Sequence, residues 1–291
     1  MTPTASPPPD PALAAVKTYR YLRLALAALV VLLFAAIALE WWAAGHACLQ
    51  PSISAYYYTP VRAVLVGVLV TMGVCLIALK GSTEPEDVLL NFAGMLAPGV
   101  AFVPTPDAGE CRSAPLVLGD VPADVANNMQ ALFVAGLLVA AVVVVIARSD
   151  APGDRLGGWD RLGILVTAAV LVGGAVWFYA DRESFLALAH GAAAVPMFLA
   201  LVAVVWLNAR HVRESVGEGS VPVGESRYVP VYRGIAVGML LALVVVVVLS
   251  LLTGSESAVF WVEVLLITLF AAFWVTQTVE LWSRGLRPVT T

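Results

Sequence analysis

The stretch GIAVGMLLALVVVVVLSLLT, from Gly234 to Thr253, contains no charged residue over 20 positions. At a rise of 1.5 Å per residue, an α-helix of that length spans about 30 Å, the hydrocarbon thickness of a bilayer. Seven further stretches are similarly apolar, so the sequence predicts an all-α polytopic membrane bundle. Its eight transmembrane helices are expected at residues 22–44, 61–80, 88–105, 127–148, 160–180, 184–207, 231–253 and 258–280.

The composition of the chain excludes a soluble globular protein. Of its 291 residues, 60% are hydrophobic and only 12% are charged, and the mean hydropathy is +0.90. Soluble domains carry roughly twice that charged fraction. We therefore predict one transmembrane domain over residues 21–283. A disordered cytoplasmic tail is expected at 1–20, where prolines are crowded, and a short cytoplasmic tail at 284–291.

The basic residues predict an orientation, because Lys and Arg resist translocation across the membrane. If the N-terminus is cytoplasmic, 13 of the 16 basic residues fall in cytoplasmic segments, and only Arg62, Arg112 and Arg182 fall outside. Both termini are therefore expected in the cytoplasm. Arg far outnumbers Lys, and Ala and Val are abundant, which is typical of a GC-rich bacterial genome. The expected location is accordingly the plasma membrane.

The predicted outer loops are acidic, and the net charge of the chain is −4. An acidic outer face makes nucleic acid an unsuitable partner. The lipid bilayer is the first expected partner, followed by a lipid or small-molecule ligand on the outer side, or a second membrane protein. The acidic residues of these loops are Asp107, Glu110, Asp120, Asp124, Asp181, Glu183 and Glu256.

The three cysteines are separated by the predicted topology. Cys48 and Cys111 fall in the first two outer loops, on the oxidising side of the membrane, whereas Cys75 lies within the second helix. The sequence therefore favours a disulfide between Cys48 and Cys111, with two free thiols as the alternative. A metal site formed by His46 with these two cysteines lacks a fourth ligand at a familiar spacing. We expect neither a metal nor a cofactor.

Ionisable residues at membrane depth are the main indication of a functional site, because each is costly there unless it is paired or hydrated. Glu40, Arg62, His190 and Glu263 are predicted at similar depths below the outer surface, and Gln130 lies near that level. One interpretation is a polar cavity, open to the outside, that binds a small molecule, a lipid headgroup or protons. In the other, Glu40 pairs with Arg62 or both reach the interface, and His190 donates to a backbone carbonyl.

The three consecutive tyrosines of the first outer loop have two readings. Tyr56, Tyr57 and Tyr58 suit the headgroup level of a bilayer, where amphipathic rings are common. Alternatively, Tyr57 and Tyr58 line the entrance of the cavity with their hydroxyl groups. Three adjacent residues cannot all face lipid, so at least one is expected to face protein.

No familiar catalytic motif is present, and the sequence assigns no catalytic residue. The chain contains no G-x-S-x-G, no H-E-x-x-H and no C-x-x-C. The best-supported function is the binding, or transport, of a small molecule or lipid in an outward-facing polar pocket. The alternatives are a non-catalytic accessory subunit of a membrane complex and, third, a membrane-embedded hydrolase.

One resemblance extends over most of the chain. Its most specific part is the motif S-I-S-x-Y-Y at residues 52–57, and it resembles a group of bacterial multi-pass membrane proteins of uncharacterised activity. The likeness implies a membrane location and no particular reaction. The other residues that carry it are Arg62, Val66, Gly67, Asn91, Ala93, Gly94, Pro104, Thr105, Trp261 and Glu263.

A second resemblance, carried by fewer residues, is to the superfamily of alkaline ceramidases and progestin-receptor-like membrane hydrolases. Those proteins hold zinc with a Ser and a His on an early helix and a His pair on the last helix. In this chain Tyr58 follows Ser54 where that pattern places His, and the last predicted helix contains no His. Shared ancestry would therefore imply that the zinc site has been lost.

The predicted disulfide can be tested by alkylation under denaturing conditions followed by intact-mass measurement. Without reductant we expect one alkylated thiol, Cys75, and with reductant we expect all three cysteines to be alkylated. Three alkylated thiols in the unreduced protein would show that Cys48 and Cys111 are both free.

Overall fold

The computed structural model describes residues 11–46, 49–106, 120–149, 157–252 and 256–287. Within these ranges the chain is helical, as predicted. The eight α-helices are α1 (Pro11–Ala43), α2 (Arg62–Ala78), α3 (Glu84–Phe102), α4 (Val121–Ser149), α5 (Gly158–Ala180), α6 (Arg182–Gly217), α7 (Tyr228–Leu252) and α8 (Glu256–Glu280). Two short 3₁₀ helices occupy Ser54–Tyr58 and Val223–Arg227.

Six of the helices are long and apolar enough to cross a membrane, namely α1 and α4 to α8. The chain is therefore a multi-pass membrane protein by helix length and composition. Helix α2 is apolar but has only 17 residues, and α3 carries three acidic residues in its first turn. The predicted count of eight spans, and the side of the membrane on which the termini lie, stay predictions.

The described part of the chain begins and ends with residues that the sequence analysis placed in its two tails. Helix α1 already begins at Pro11, so the prediction of a disordered tail over 1–20 does not hold from that residue onward. Within the short tail predicted at 284–291, the side chain of Arg287 is buried in the bundle. The Arg287 guanidinium donates to the Glu280 carboxylate and to the Asn208 amide oxygen. These bonds hold the residues after α8 against the bundle.

Both ends of the described chain meet at one end of the bundle, which we call the terminal end. Arg23 Nη2 of α1 donates to the carbonyl oxygen of Gly285 over 2.7 Å. The opposite end, which carries the 3₁₀ helix Ser54–Tyr58, we call the 3₁₀ end.

A buried polar network occupies the terminal end. Asn208 of α6 donates to Glu86 of α3 over 2.8 Å and accepts from Gln277 of α8 over 2.8 Å. Arg287 donates from Nε to Oε1 of Glu280 over 2.9 Å. The carboxylates of Glu86 and Glu280 offset the positive charges of Arg23 and Arg287. A buried charge without such a partner would be strongly destabilising.

Helices α2 and α3 pack backbone to backbone through Gly73 and Gly94. A Cβ atom placed on Gly73 would lie 2.6 Å from the carbonyl oxygen of Gly94, and one on Gly94 would lie 2.6 Å from that of Gly73. No side chain fits there. Small residues allow such close approach in membranes, where packing replaces the hydrophobic effect between helices.

Helices α4 and α5 lie at the edge of the bundle, since only 11% of the most apolar window of each is buried. Most of the side chains of α4 from Leu137 to Ile146 are exposed, which suits contact with lipid. Helices α1, α2, α3, α6, α7 and α8 provide most of the larger buried cluster, and a smaller buried cluster joins α4 and α5 to α6.

We predict that Gly73→Ala destabilises the protein by about 1–3 kcal/mol, because the added methyl group clashes with a backbone oxygen that cannot rotate away. Gly67→Ala is the matched control on the same helix, since a Cβ at Gly67 meets nothing within 4 Å. That control should be neutral within about 0.5 kcal/mol. Unfolding of both variants in detergent, followed by circular dichroism, measures the difference, and equal stabilities would contradict the packing assignment.

Candidate functional site

An elongated cavity of about 100 Å³ opens among α1, α2, α3, α6 and α8 beneath the 3₁₀ helix. On α2 its lining runs from Leu65 to Leu76, which at 1.5 Å per residue is about 16 Å of depth. On α6 it runs from His190 to Leu201, the same distance. The cavity is therefore a narrow cleft that follows the helix axes from the 3₁₀ end toward the middle of the bundle.

Ionisable or hydrogen-bonding side chains line this cleft at its 3₁₀ end alone. Ser54, His190 and Glu263 form that polar mouth, and the rest of the lining is aliphatic, aromatic or methionine. The three residues come from the 3₁₀ helix, α6 and α8, so they are brought together only by the fold. The cleft combines a small polar mouth with a long apolar interior.

His190 makes a hydrogen bond through each of its two ring nitrogens. Its Nδ1 lies 2.8 Å from the carbonyl oxygen of Val103, and its Nε2 lies 2.9 Å from Ser54 Oγ. A carbonyl oxygen only accepts, so Nδ1 of the neutral ring carries the proton and Nε2 is the acceptor. The Ser54 hydroxyl group therefore donates to His190.

Glu263 holds the backbone next to Ser54. Its Oε2 accepts from the backbone N–H of Ile53 over 2.6 Å, and no described contact uses its Oε1. The 3₁₀ helix that begins at Ser54 has no side-chain cap of its own. Glu263 therefore anchors the turn that presents Ser54 to the cleft.

Arg62 belongs to a second polar cluster beside the mouth. It donates to Asp124 of α4 over 2.8 Å and to the hydroxyl oxygen of Tyr57 over 2.6 Å, and it also lies over the Tyr57 ring. Burial raises the pKa of the Tyr57 phenol despite the charge of Arg62, so this oxygen keeps its proton while it accepts. The cluster joins α2 to α4.

The remaining predicted site residues do not line the cleft. Tyr58 donates to the carbonyl oxygen of Thr105 over 2.8 Å. Glu40 lies on α1, close enough to Tyr56 of the 3₁₀ helix to affect its phenol electrostatically. Gln130 is exposed on α4. Of the seven residues predicted as ligand-binding, only His190 and Glu263 meet at the cavity. The expectation that Glu40 pairs with Arg62 is wrong, because Asp124 takes that position.

The other interpretations from the sequence have mixed outcomes. Tyr57 is buried at 1% exposure, so it is a protein-facing residue and not part of an interfacial belt. The alternative that His190 bonds to a backbone carbonyl is confirmed by Val103, although His190 also faces the cleft. The proposed Cys48 to Cys111 disulfide lies outside the described residues. Among the described residues, no group of three or more His, Cys, Asp or Glu could hold a metal ion.

We predict that Glu263→Leu frees the Ile53 amide and loosens the 3₁₀ helix. A hydrogen bond contributes about 0.5–1.5 kcal/mol, so amide exchange across residues 53–58 should accelerate by about two- to tenfold. Glu263→Gln is the matched control, because its amide oxygen can still accept and the effect should be smaller. Hydrogen–deuterium exchange measures both variants, and unchanged exchange in Glu263→Leu would show that the turn is held by other contacts.

Comparison of the chain with protein-family models, with curated proteins and with solved structures found no match. The chemistry of the site is accordingly argued from its own residues. Their geometry is a Ser–His pair and a carboxyl group at the mouth of an apolar cleft.

Proposed function

We propose that the protein binds a single-chain lipid or a similar amphiphile at the cleft, with part of the apolar tail inside the cavity of about 100 Å³ and the polar head at Ser54, His190 and Glu263. The observation that carries this proposal is the segregation of the lining. All of its ionisable or hydrogen-bonding side chains lie at one end, and about 16 Å of apolar wall lies beyond them. A molecule with a polar head and a flexible tail has the matching distribution.

Recognition of such a ligand depends mainly on the mouth. A lipid tail that leaves the bilayer for a protein cleft exchanges one apolar environment for another, so the hydrophobic effect contributes little to binding. Each hydrogen bond made by the head contributes about 0.5–1.5 kcal/mol, and more where a charged group takes part. The Ser54–His190 pair and Oε1 of Glu263 are the groups placed to make those bonds.

The predicted topology sets the side from which the ligand enters. If the termini are cytoplasmic, the 3₁₀ end faces outward and the mouth lies near the outer leaflet. The bottom of the cleft is bounded by Leu76, Leu201 and Phe270. Below it, Val204, Phe273 and Trp274 are exposed by 1% or less. Transport through the protein would require this layer to open, so binding from one side is the simpler proposal.

The proposal is tested by native mass spectrometry of the protein released gently from its own membrane. We expect a discrete adduct of lipid mass on the wild-type protein. Ala194→Trp places a large ring in the cleft that Ala194 lines, and it should remove the adduct. Ala192→Trp is the matched control, because Ala192 is exposed on the same helix two residues away.

The melting temperatures of both tryptophan variants must match that of the wild-type protein, since overpacking alone can destabilise a core. If Ala194→Trp melts lower, Leu69→Phe provides a smaller obstruction on the facing helix α2. A wild-type protein without any adduct, or an adduct that survives obstruction of the cleft, would contradict the proposal.

A further inference from the structure

We propose that Ser54 and His190 form a nucleophile and general-base pair that transfers an acyl group from an ester of a long-chain fatty acid, with water as the final acceptor. The proposal rests on the proposed lipid-binding function of the cleft and names the reaction that the mouth of that cleft supports. Three observations carry it: the contact of 2.9 Å between Ser54 Oγ and His190 Nε2, the contact of 2.8 Å between His190 Nδ1 and the carbonyl oxygen of Val103, and the apolar cleft directly beneath both residues.

The Ser54–His190 contact has the geometry of an activated serine. The distance of 2.9 Å between Ser54 Oγ and His190 Nε2 is within the range in which a histidine accepts the hydroxyl proton during attack. In the neutral ring the hydroxyl group is the donor, because the other ring nitrogen carries the proton. A serine whose proton already points at an unprotonated imidazole nitrogen needs no rearrangement before it reacts.

The carbonyl oxygen of Val103 takes the place that a carboxylate holds in a Ser-His-Asp triad. There the third group fixes the tautomer and orientation of the histidine, and loss of the correct tautomer costs about 10⁴-fold in rate. In this protein the Val103 oxygen does both, at 2.8 Å from Nδ1. Glu263 is a positioning residue, because it holds the backbone at Ile53 and thereby sets where Ser54 points.

The position of the pair also argues against a role as a structural brace alone. Ser54 and His190 both line the cleft and are half-buried, so the pair is open to a ligand. An acyl chain that lies along Leu65, Leu69 and Leu76 would place its carbonyl carbon at the mouth.

The reaction balances with water as the only co-reactant. Ser54 Oγ bonds to the carbonyl carbon of the ester, and His190 Nε2 takes the hydroxyl proton. The bond between that carbon and the alcohol oxygen then breaks, and His190 returns the proton to the departing alcohol. In the second step water attacks the acyl-serine, His190 takes and returns a proton again, and the products are a fatty acid and free Ser54.

The proposal is tested with a long-chain alkyl fluorophosphonate added to the full-length protein in lipid nanodiscs, followed by peptide mass mapping. We expect phosphonylation of Ser54, at a rate about tenfold or more above that of methyl fluorophosphonate, because only a probe whose chain enters the cleft holds its phosphorus atom beside the Ser54 hydroxyl group. His190→Asn should reduce labelling by about 10²-fold or more. Its amide nitrogen can still donate to Val103, so the brace is kept and only the base is lost.

Ser184→Ala is the matched serine control, since Ser184 lies at the same end of the bundle but accepts from Trp177 and does not line the cleft. It should be labelled at Ser54 like the wild-type protein. Labelling of Ser54 that is unchanged in His190→Asn would overturn the proposal. An unlabelled Ser54 in protein that carries a lipid adduct would overturn the reaction and leave lipid binding standing. An unlabelled Ser54 in protein without an adduct would overturn both.

Discussion

The side-chain amide of Asn208 makes all four hydrogen bonds open to it inside the bundle. Its nitrogen donates to Glu86 and to the carbonyl oxygen of Val204, and its oxygen accepts from Gln277 and Arg287. Two donors and two acceptor sites are the full capacity of an amide. An unpaired polar group is costly at this depth. The Asn208 amide therefore holds α6 against α3, α8 and the residues after α8. Its four bonds set the relative positions of these segments at the terminal end.

The same three helices supply the candidate site at the opposite end. Val103 follows α3, His190 lies on α6 and Glu263 lies on α8. Asn208 and His190 are 18 residues apart on one helix, a distance of about 27 Å. A network that fixes three helices at one end therefore limits how far their other ends can move. The 3₁₀ helix Ser54–Tyr58 completes the site through its own bonds to α6 and α8.

The sequence predicted the bundle far better than the site, for a physical reason. A membrane helix can be recognised from its own sequence as a long uncharged stretch. Each α-helix accordingly begins within about eleven residues of its predicted start. Contacts between helices join residues that are far apart in the chain, so no local sequence pattern predicts them. Ser54 lies 136 positions from His190, and the sequence associated it with a family likeness and not with the pocket. Asp124 was read as a loop acid, although it is the partner of Arg62. Arg287 was placed only in a short cytoplasmic tail, because its acceptors Glu280, Asn208 and Tyr232 lie on three helices.

The closed bottom of the cleft connects its shape to the chemistry at its mouth. If the proposed acyl chain occupies the cleft, the carbons next to its carbonyl lie between Ser54 and the buried layer below Leu76, Leu201 and Phe270. The cavity of about 100 Å³ holds only part of a long chain, so the cleft places the carbonyl carbon without measuring the whole chain. On that proposal the polar mouth is the feature that selects the head.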